Sequence, residues 1–322
     1  MSKVKSYLSL IRFSHTIFAM PFAMIGFYLG VFGWSRDIIV PGWHTRLRWT
    51  LPRPAIDDAV YPNGGREFLI RFLLVIGCMV FARSAAMAFN RWLDVEFDAK
   101  NPRTAIREIP RGIISKSSAL RFVIFNCIAF IVCTWFINPL CFALSFVALA
   151  VVLGYSYTKR FTPLCHLVLG VGLSLAPIGA YLAVTGRFAL LPLLFSFSVI
   201  FWVSGFDIIY ALQDEEFDRN NQLYSMPSWL GKTRALRVSE FLHLLSTACV
   251  VLAGFLGGYG WVYWLGVAVF SGMLIYQHAI VKPNDLSRVN LAFMTANGIA
   301  SVVFAVLVIA DHVLFNMGYI YA

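Results

Sequence analysis

Two acidic clusters, 120 residues apart, carry the residue types and spacings that could do chemistry. The first holds Asn90, Asp94 and Asp98 at i, i+4 and i+8; the second holds Asp207, Asp214 and Asp218 at i, i+7 and i+11. On a helix either spacing lines its side chains along one face. Carboxylate and amide oxygens are hard donors. Mg²⁺ generally accepts one or two carboxylates and completes its shell with water and phosphate oxygens. Two such clusters facing one another therefore predict a pair of Mg²⁺ ions clamping one diphosphate, with Asn90, Asp94, Asp98, Asp214 and Asp218 as ligands. Asp207 lies deeper in an apolar run, where a carboxylate is costly and marks a functional position. Glu96 and Glu216 fall on the opposite face and read as solvent-exposed acids.

The clusters are copies of one another. At a constant offset of 120, Phe81 matches Phe201, Ser84 matches Ser204 and Asp94 matches Asp214. Glu96, Phe97, Asp98 and Asn101 likewise match Glu216, Phe217, Asp218 and Asn221 without a gap. A self-match at fixed offset is the mark of internal duplication. Basic residues stand close by. Arg103 and Arg107 are spaced i, i+4 after the first cluster, Lys159 and Arg160 close a later apolar run, and Arg12 precedes the first. Arginine offers planar, bidentate donors suited to phosphate, although any one of these residues alone also fits an ordinary loop charge. The six histidines are scattered. His15 lies near Arg12 and could line the site, but a packed or interfacial role fits it better.

These residues need elements to hold them, and composition says which. Of 322 residues 59% are apolar and 13% charged, with a mean hydropathy of +0.74. That profile belongs to an all-α, polytopic membrane protein and excludes a soluble enzyme of this length. A bilayer needs about 20 apolar residues per helix. Nine runs qualify: 16–34, 68–89, 120–136, 140–157, 164–184, 188–212, 241–258, 261–280 and 291–315. The short basic N-terminus leads into the first of them with no small-residue cleavage site, so an uncleaved first helix is expected. The whole chain reads as one membrane domain. Its one long connection, 35–67, reads as an interfacial loop on the outer side. With the N-terminus inside, 17 of the 26 Lys and Arg fall on the cytoplasmic side and 6 outside, which places both acidic clusters at the cytoplasmic face. The net charge of +10 suits anionic lipid and an anionic substrate. No soluble basic domain exists to bind nucleic acid. The six cysteines form no C-x-x-C pair and read as small core residues.

At these residues the chain resembles the UbiA superfamily of intramembrane aromatic prenyltransferases. N-x-x-x-D-x-x-x-D matches Asn90, Asp94 and Asp98, and D-x-x-x-D matches Asp214 and Asp218, with Asp207 preceding. Asn101 to Gly112, reading N-P-R-T-A-x-R-E-x-P-x-G, is similar to the 4-hydroxybenzoate branch, and closer still to relatives assigned to the futalosine route to menaquinone. The segments from Tyr155 to Arg160 and from Gly205 to Ala211, the latter containing Tyr210, point the same way. The resemblance implies Mg²⁺-dependent transfer of a polyprenyl group from its diphosphate to a ring carbon of a small aromatic acid, in menaquinone or ubiquinone biosynthesis. It implies catalytic roles for Asp207, Arg103, Arg107 and Lys159. It places Asn90, Arg12, Arg160 and Tyr210, with the same three basic residues, at the substrates, and it sets the isoprenoid tail among helices in contact with lipid. The long 35–67 connection departs from the family pattern. An acceptor such as heme is a second reading within the superfamily. A repeat-built secondary transporter is a reading of another class, since intramembrane carboxylates and internal repeats occur there too. The D-G-x-x-A-R signature of CDP-alcohol phosphotransferases is absent, as are H-E-x-x-H, G-x-x-x-x-G-K-[ST] and G-x-S-x-G.

Overall fold

The computed structural model describes residues 3–11, 20–32, 34–39, 46–51 and 64–316. A short helix α1 (Lys3–Leu10) precedes α2 (Met20–Phe32). Strands β1 (Trp34–Ile39) and β2 (Arg46–Leu51) follow, then α3 (Gly64–Leu93), α4 (Val95–Lys100), α5 (Lys116–Ile137) and α6 (Pro139–Thr158). The second half runs α7 (Cys165–Thr185), α8 (Leu190–Ala211), a 3₁₀ turn (Leu212–Asp214), α9 (Glu215–Asn220) and α10 (Met226–Leu230). It closes with α11 (Lys232–Gly257), α12 (Trp261–Ile280), a π-helical turn (Leu291–Ala296) and α13 (Asn297–Asn316).

Each of the nine expected runs coincides with a helix. Among the described residues, seven helices are long and apolar enough to cross a membrane. The other two are α12, diluted by Trp, Tyr, Gln and His, and α2, of which 13 residues are described. The protein is thus an integral membrane protein built from helices. At the start of and within the 35–67 connection, β1 and β2 pair antiparallel with Trp34 opposite Leu51 and Ile39 opposite Arg46.

Local sequence sets the helix ends. Asn138 caps α6, its Oδ1 accepting from the Cys141 N–H at 2.8 Å, and Pro139 occupies the first helical position, where a missing N–H costs nothing. The Asn138 Nδ2 also donates to the Leu182 carbonyl at 2.9 Å, tying this hairpin to α7. Gly258, at φ 56°, ends α11 in the left-handed region that glycine adopts without strain. Asp311, fully buried on α13, accepts from the Gly260 N–H at 2.8 Å and the Tyr263 N–H at 3.0 Å. It thereby satisfies donors at the start of α12 that would otherwise be orphaned in an apolar interior.

The helix α8 is the axis of the bundle, packed between α7 and α11. Of its apolar stretch 67% is buried, against 17% for α6, which faces outward. Phe22, Trp202, Phe270 and Phe304 from α2, α8, α12 and α13 form an aromatic core with ring centroids 5.2–6.1 Å apart. Inside it the Trp202 indole N–H and the Gln277 amide both donate to Asn297 Oδ1, at 2.8 and 2.9 Å. On α2, a Cβ at Gly26 would stand 1.9 Å from the Pro177 carbonyl oxygen, so only glycine lets α2 approach α7 this closely. The other side of α7, toward α3, α5 and α6, is not filled, and a cavity opens there.

The duplicated segments adopt one geometry twice. The helix α3 stops at Leu93, and Asp94 takes φ −93°, ψ 14° before α4 begins. After α8 and its 3₁₀ turn, Asp214 takes φ −105°, ψ 5° before α9. Both aspartates sit in the bridge region, a sparsely allowed zone where many active-site residues are found. The expected continuous helical face is therefore bent at the middle acid of each cluster. Backbone bonds from Asp94 N–H to the Asn90 carbonyl (2.9 Å) and from Asp98 N–H to the Asp94 carbonyl (2.8 Å) still span the first bend. Asp98 and Asp218 turn inward and are buried, while Glu96 and Glu216 stay exposed, as their positions predict.

Candidate active site

The two bends bring four carboxylates and four basic side chains together. Arg103 grips Asp214 with two groups of its fork, Nε to Oδ1 at 3.0 Å and Nη2 to Oδ2, while its Nη1 donates to the Tyr210 hydroxyl at 2.8 Å. Arg107 Nη1 lies 2.8 Å from both oxygens of Asp98. Lys159 Nζ stands 2.6 Å from Asp218 Oδ1, and Arg160 Nη2 stands 3.2 Å from Asp94 Oδ1. The first loop thus reaches across to the second acidic cluster through Arg103 and holds its own cluster through Arg107. Asn101 Nδ2 adds a second crossing bond to Asp214 Oδ1 at 3.1 Å, and Asn90 Nδ2 meets Asp94 Oδ2 at 3.3 Å.

Burial and pairing set the charge states. Burial pushes the Asp94 carboxyl above its ordinary value, against the pull of Arg160 and Lys159. Burial alone lowers the Lys159 ammonium and the Arg103 guanidinium. Asp218 and Asp214 more than offset it, so both cations stand above their ordinary values. Tyr210 is flanked by the Arg103 guanidinium, 5.2 Å from its ring centroid, and by the Phe293 ring at 4.3 Å. Phe293 belongs to the π-helical turn, an irregularity that often accompanies functional sites.

The donor set suits a hard cation. The acids offer oxygen only, and Asp218, fully buried, has Lys159 on Oδ1 at 2.6 Å as its ion-pair partner. Among the described residues, no three acidic, histidine or cysteine side chains converge into a complete metal cage. Bound cations would take the rest of their shell from water and substrate. The buried Nε of Arg107, without an acceptor among the described residues, is a donor open to an anion.

Asp207 stands apart from this cluster. Its Oδ2 lies 2.7 Å from His166 Nδ1 rather than beside the other acids. Asp207, Tyr210, Asn90 and Arg107 form the polar mouth of a cavity of about 500 Å³. From there the walls are apolar, running between α3, α5, α6, α7 and α8 past Met79, Leu144, Leu173 and Ala176. Arg83 lines this cavity from within α3, its Nε buried and without an acceptor among the described residues, with Tyr155 on the wall nearby. A strut supports the first loop from behind. Arg91, buried on α3, donates to Glu108 Oε2 at 2.5 Å and to the Ser9 carbonyl at 3.3 Å, and the Ser9 hydroxyl donates to Glu108 Oε1.

Of the residues singled out in the sequence, Asn90, Asp94, Asp98, Arg103, Arg107, Lys159, Arg160, Tyr210, Asp214 and Asp218 meet in one cluster, and Asp207 adjoins it. Arg12 and His15 lie outside the described residues. Arg83, Tyr155, His166 and Glu108 were not singled out. Arg83 carried a signal, an arginine inside an apolar run, where such a charge is costly. The six cysteines are all free.

Comparison with known proteins places this geometry in context. The profile of the UbiA prenyltransferase family matches residues 59–299. The 4-hydroxybenzoate octaprenyltransferase of Nitrosospira multiformis is 29% identical over 241 residues, spanning 74% of this chain and 82% of that protein. Its counterpart in Shewanella halifaxensis is 27% identical over 255 residues, 79% and 88% of the two chains. Among solved structures, the apo form of a UbiA homologue from Aeropyrum pernix K1 superposes with a TM-score of 0.71 at 26% identity, covering 93% of this chain and 97% of that one. A UbiA homologue from Archaeoglobus fulgidus, solved with GPP and Mg²⁺ bound, shares the fold at a TM-score of 0.63 and 18% identity, covering 95% and 99%.

Proposed function

The chain belongs to the UbiA prenyltransferase family, and we propose that it transfers a polyprenyl group from polyprenyl diphosphate to a ring carbon of a small aromatic acid of the 4-hydroxybenzoate or 1,4-dihydroxy-6-naphthoate type, in quinone biosynthesis. One observation carries this reading. Four carboxylates and four matched cations form one cluster, and that cluster meets an apolar cavity through Arg107, which lines it, and through Tyr210, a lining residue bonded to Arg103. The cluster suits a metal-bound diphosphate and the cavity suits a prenyl tail.

Asn90, Asp94, Asp98, Asp214 and Asp218 would hold Mg²⁺, which when bound neutralises the diphosphate and stabilises it as a leaving group. Arg103, Arg107, Lys159 and Arg160 then turn from their carboxylates to the diphosphate oxygens. They stabilise the charge that grows as the allylic C–O bond breaks and its electron pair leaves with the diphosphate. The apolar walls keep water from the allylic cation. The acceptor ring attacks that cation at carbon, forming the C–C bond, while its hydroxyl proton passes to Asp207. Loss of the ring hydrogen to the diphosphate, with return of the proton from Asp207 to oxygen, restores the aromatic ring.

Arg83 supplies the remaining recognition. A buried guanidinium on the cavity wall is suited to the acceptor's carboxylate, which it can meet with two parallel bonds. Arg83→Ala is therefore expected to raise KM for the aromatic acid about 10-fold or more while leaving KM for the prenyl diphosphate within about twofold, as expected for a lost buried charge-assisted contact. Steady-state kinetics with each substrate varied in turn checks this, and equal shifts in both constants would remove Arg83 from the acceptor site.

The reading places the protein in a bacterial-type inner membrane with the active site on the cytoplasmic side, because the basic residues concentrate at the ends that carry the site. A single cysteine at position 103, in an otherwise cysteine-free chain in intact cells, should resist an impermeant maleimide, and one at position 187 should react. The reverse pattern would invert the topology. The activity itself is tested by incubating membranes with Mg²⁺, a polyprenyl diphosphate and either 4-hydroxybenzoate or 1,4-dihydroxy-6-naphthoate, and identifying products by mass. Prenylation of neither acid would overturn the reading.

A further inference from the structure

His166 sits at the first turn of α7 with a side chain that is 4% exposed, and both of its ring nitrogens are engaged. The backbone N–H of Met226 points at Nε2 from 3.2 Å. A backbone N–H can only donate, so Nε2 is the acceptor and carries no proton. The ring proton is therefore on Nδ1, which donates to Asp207 Oδ2 at 2.7 Å. A buried histidine with no fixed partners would be free to adopt either tautomer; this one is held in a single tautomer by two different elements.

Its partner is the one motif aspartate that differs from the rest. Asp94, Asp98, Asp214 and Asp218 each meet an arginine or lysine, whereas among the described residues Asp207 meets His166 and no such cation. Asp207 faces the cavity rather than the cation cluster. One of its oxygens is taken by the imidazole, so the other is available to whatever occupies the cavity mouth. Met226 belongs to the segment that follows Asp218, and that segment is stitched to the end of α6 and the start of α7. The Tyr224 N–H donates to the Lys159 carbonyl at 2.7 Å, and the Cys165 thiol lies 3.5 Å from the Tyr224 carbonyl. His166 thus joins the Asp218 loop to Asp207.

We propose that His166 is a positioning residue for prenyl transfer, holding Asp207 through Nδ1–H···Oδ2 so that Oδ1 receives the hydroxyl of the aromatic acceptor. The proposal rests on the aromatic acceptor of the proposed function. A histidine that orients a carboxylate resembles the partner interactions that fix ligands at other sites, where loss of the partner costs about 10–100-fold.

The test uses the full-length protein in membranes or detergent. His166→Leu removes both hydrogen bonds. His166→Asn places an amide N–H near the position of Nδ1 and restores the bond to Asp207, while His166→Gln reaches toward the Met226 N–H instead. For His166→Leu we expect kcat/KM for the aromatic acid to fall about 10–100-fold, with KM for the prenyl diphosphate within about twofold of wild type. His166→Asn should recover most of that loss and His166→Gln much less. Each constant is expressed per folded protein, measured by size-exclusion profile and melting temperature. A packing role alone would lower the melting temperature in all three variants without separating the two substrates. Wild-type acceptor kinetics in His166→Leu, or Asn no better than Leu, would overturn the proposal. Transfer to no aromatic acid by the wild type would strike the proposed function instead, so the two failures are distinct.

Discussion

Asp98→Asn and Asp218→Asn are each expected to lower turnover by about 10³-fold or more, in line with removing a transition-state charge stabiliser from a preorganised site. Each change replaces one oxygen by an amide of nearly the same shape and deletes a single charge. Both aspartates are buried, and each is the inward-turned acid of its duplicated bend. Their cationic partners, Arg107 and Lys159, are 19% and 35% exposed, so water can reach those cations once the carboxylate is gone and the fold should survive. The diagnostic pair of measurements is the single-turnover rate at saturating Mg²⁺ and the melting temperature. A variant that stays folded and keeps more than a tenth of wild-type activity at both positions would remove the clusters from the reaction.

Arg103→Ala is expected to lower kcat by about 10²–10³-fold, and Arg103→Lys to restore little of it. Arg103 is the cation that crosses between the halves, reaching from the loop after the first cluster to Asp214 in the second. Two directions of its planar fork engage Asp214 and a third engages Tyr210. A lysine ammonium is a point charge on a flexible stem and cannot reproduce that geometry. In the proposed reaction the same fork turns to the diphosphate, so its loss affects the leaving group in both binding and bond breaking. Rapid-quench measurement of diphosphate release separates these effects. Full activity in Arg103→Lys would mean that charge alone, not the fork, is required.

Much of the fold was legible because the chain is so apolar. Among the described residues each of the nine runs coincides with a helix, and the offset of 120 picked out the two segments, around Asp94 and Asp214, that share one geometry. The bends themselves were not legible. The residues around them, Trp92 to Phe97 and Leu212 to Phe217, contain neither proline nor glycine, and nothing local separates ψ near 0° from a helical ψ. The site followed the same division. The carboxylates and Arg103, Arg107, Lys159 and Arg160 stood out through charge and spacing, yet their one-to-one pairing is a tertiary property. Asp207 stood out as the acid deeper in an apolar run, outside the metal-ligand set, but its contact with His166, 41 residues earlier, did not. That contact leaves no local signature, and neither does the Arg91–Glu108–Ser9 strut. Arg83 was visible as a charge within an apolar run, but only the cavity beside it turns that charge into a recognition element. The β1–β2 pairing was hidden because a single two-stranded hairpin in a proline-bearing loop shows little alternation.

In the proposed reaction the two clusters form one site bridged by metal-bound diphosphate. Limited proteolysis of the full-length protein, with a non-hydrolysable prenyl diphosphate analogue and Mg²⁺ added separately and together, tests it most directly. The two together are expected to protect both the loop after Asp98 and the loop after Asp218, with the Arg103–Arg107 segment gaining most, and Mg²⁺ alone to do much less. Protection of one loop only, or full protection by the analogue without metal, would contradict it.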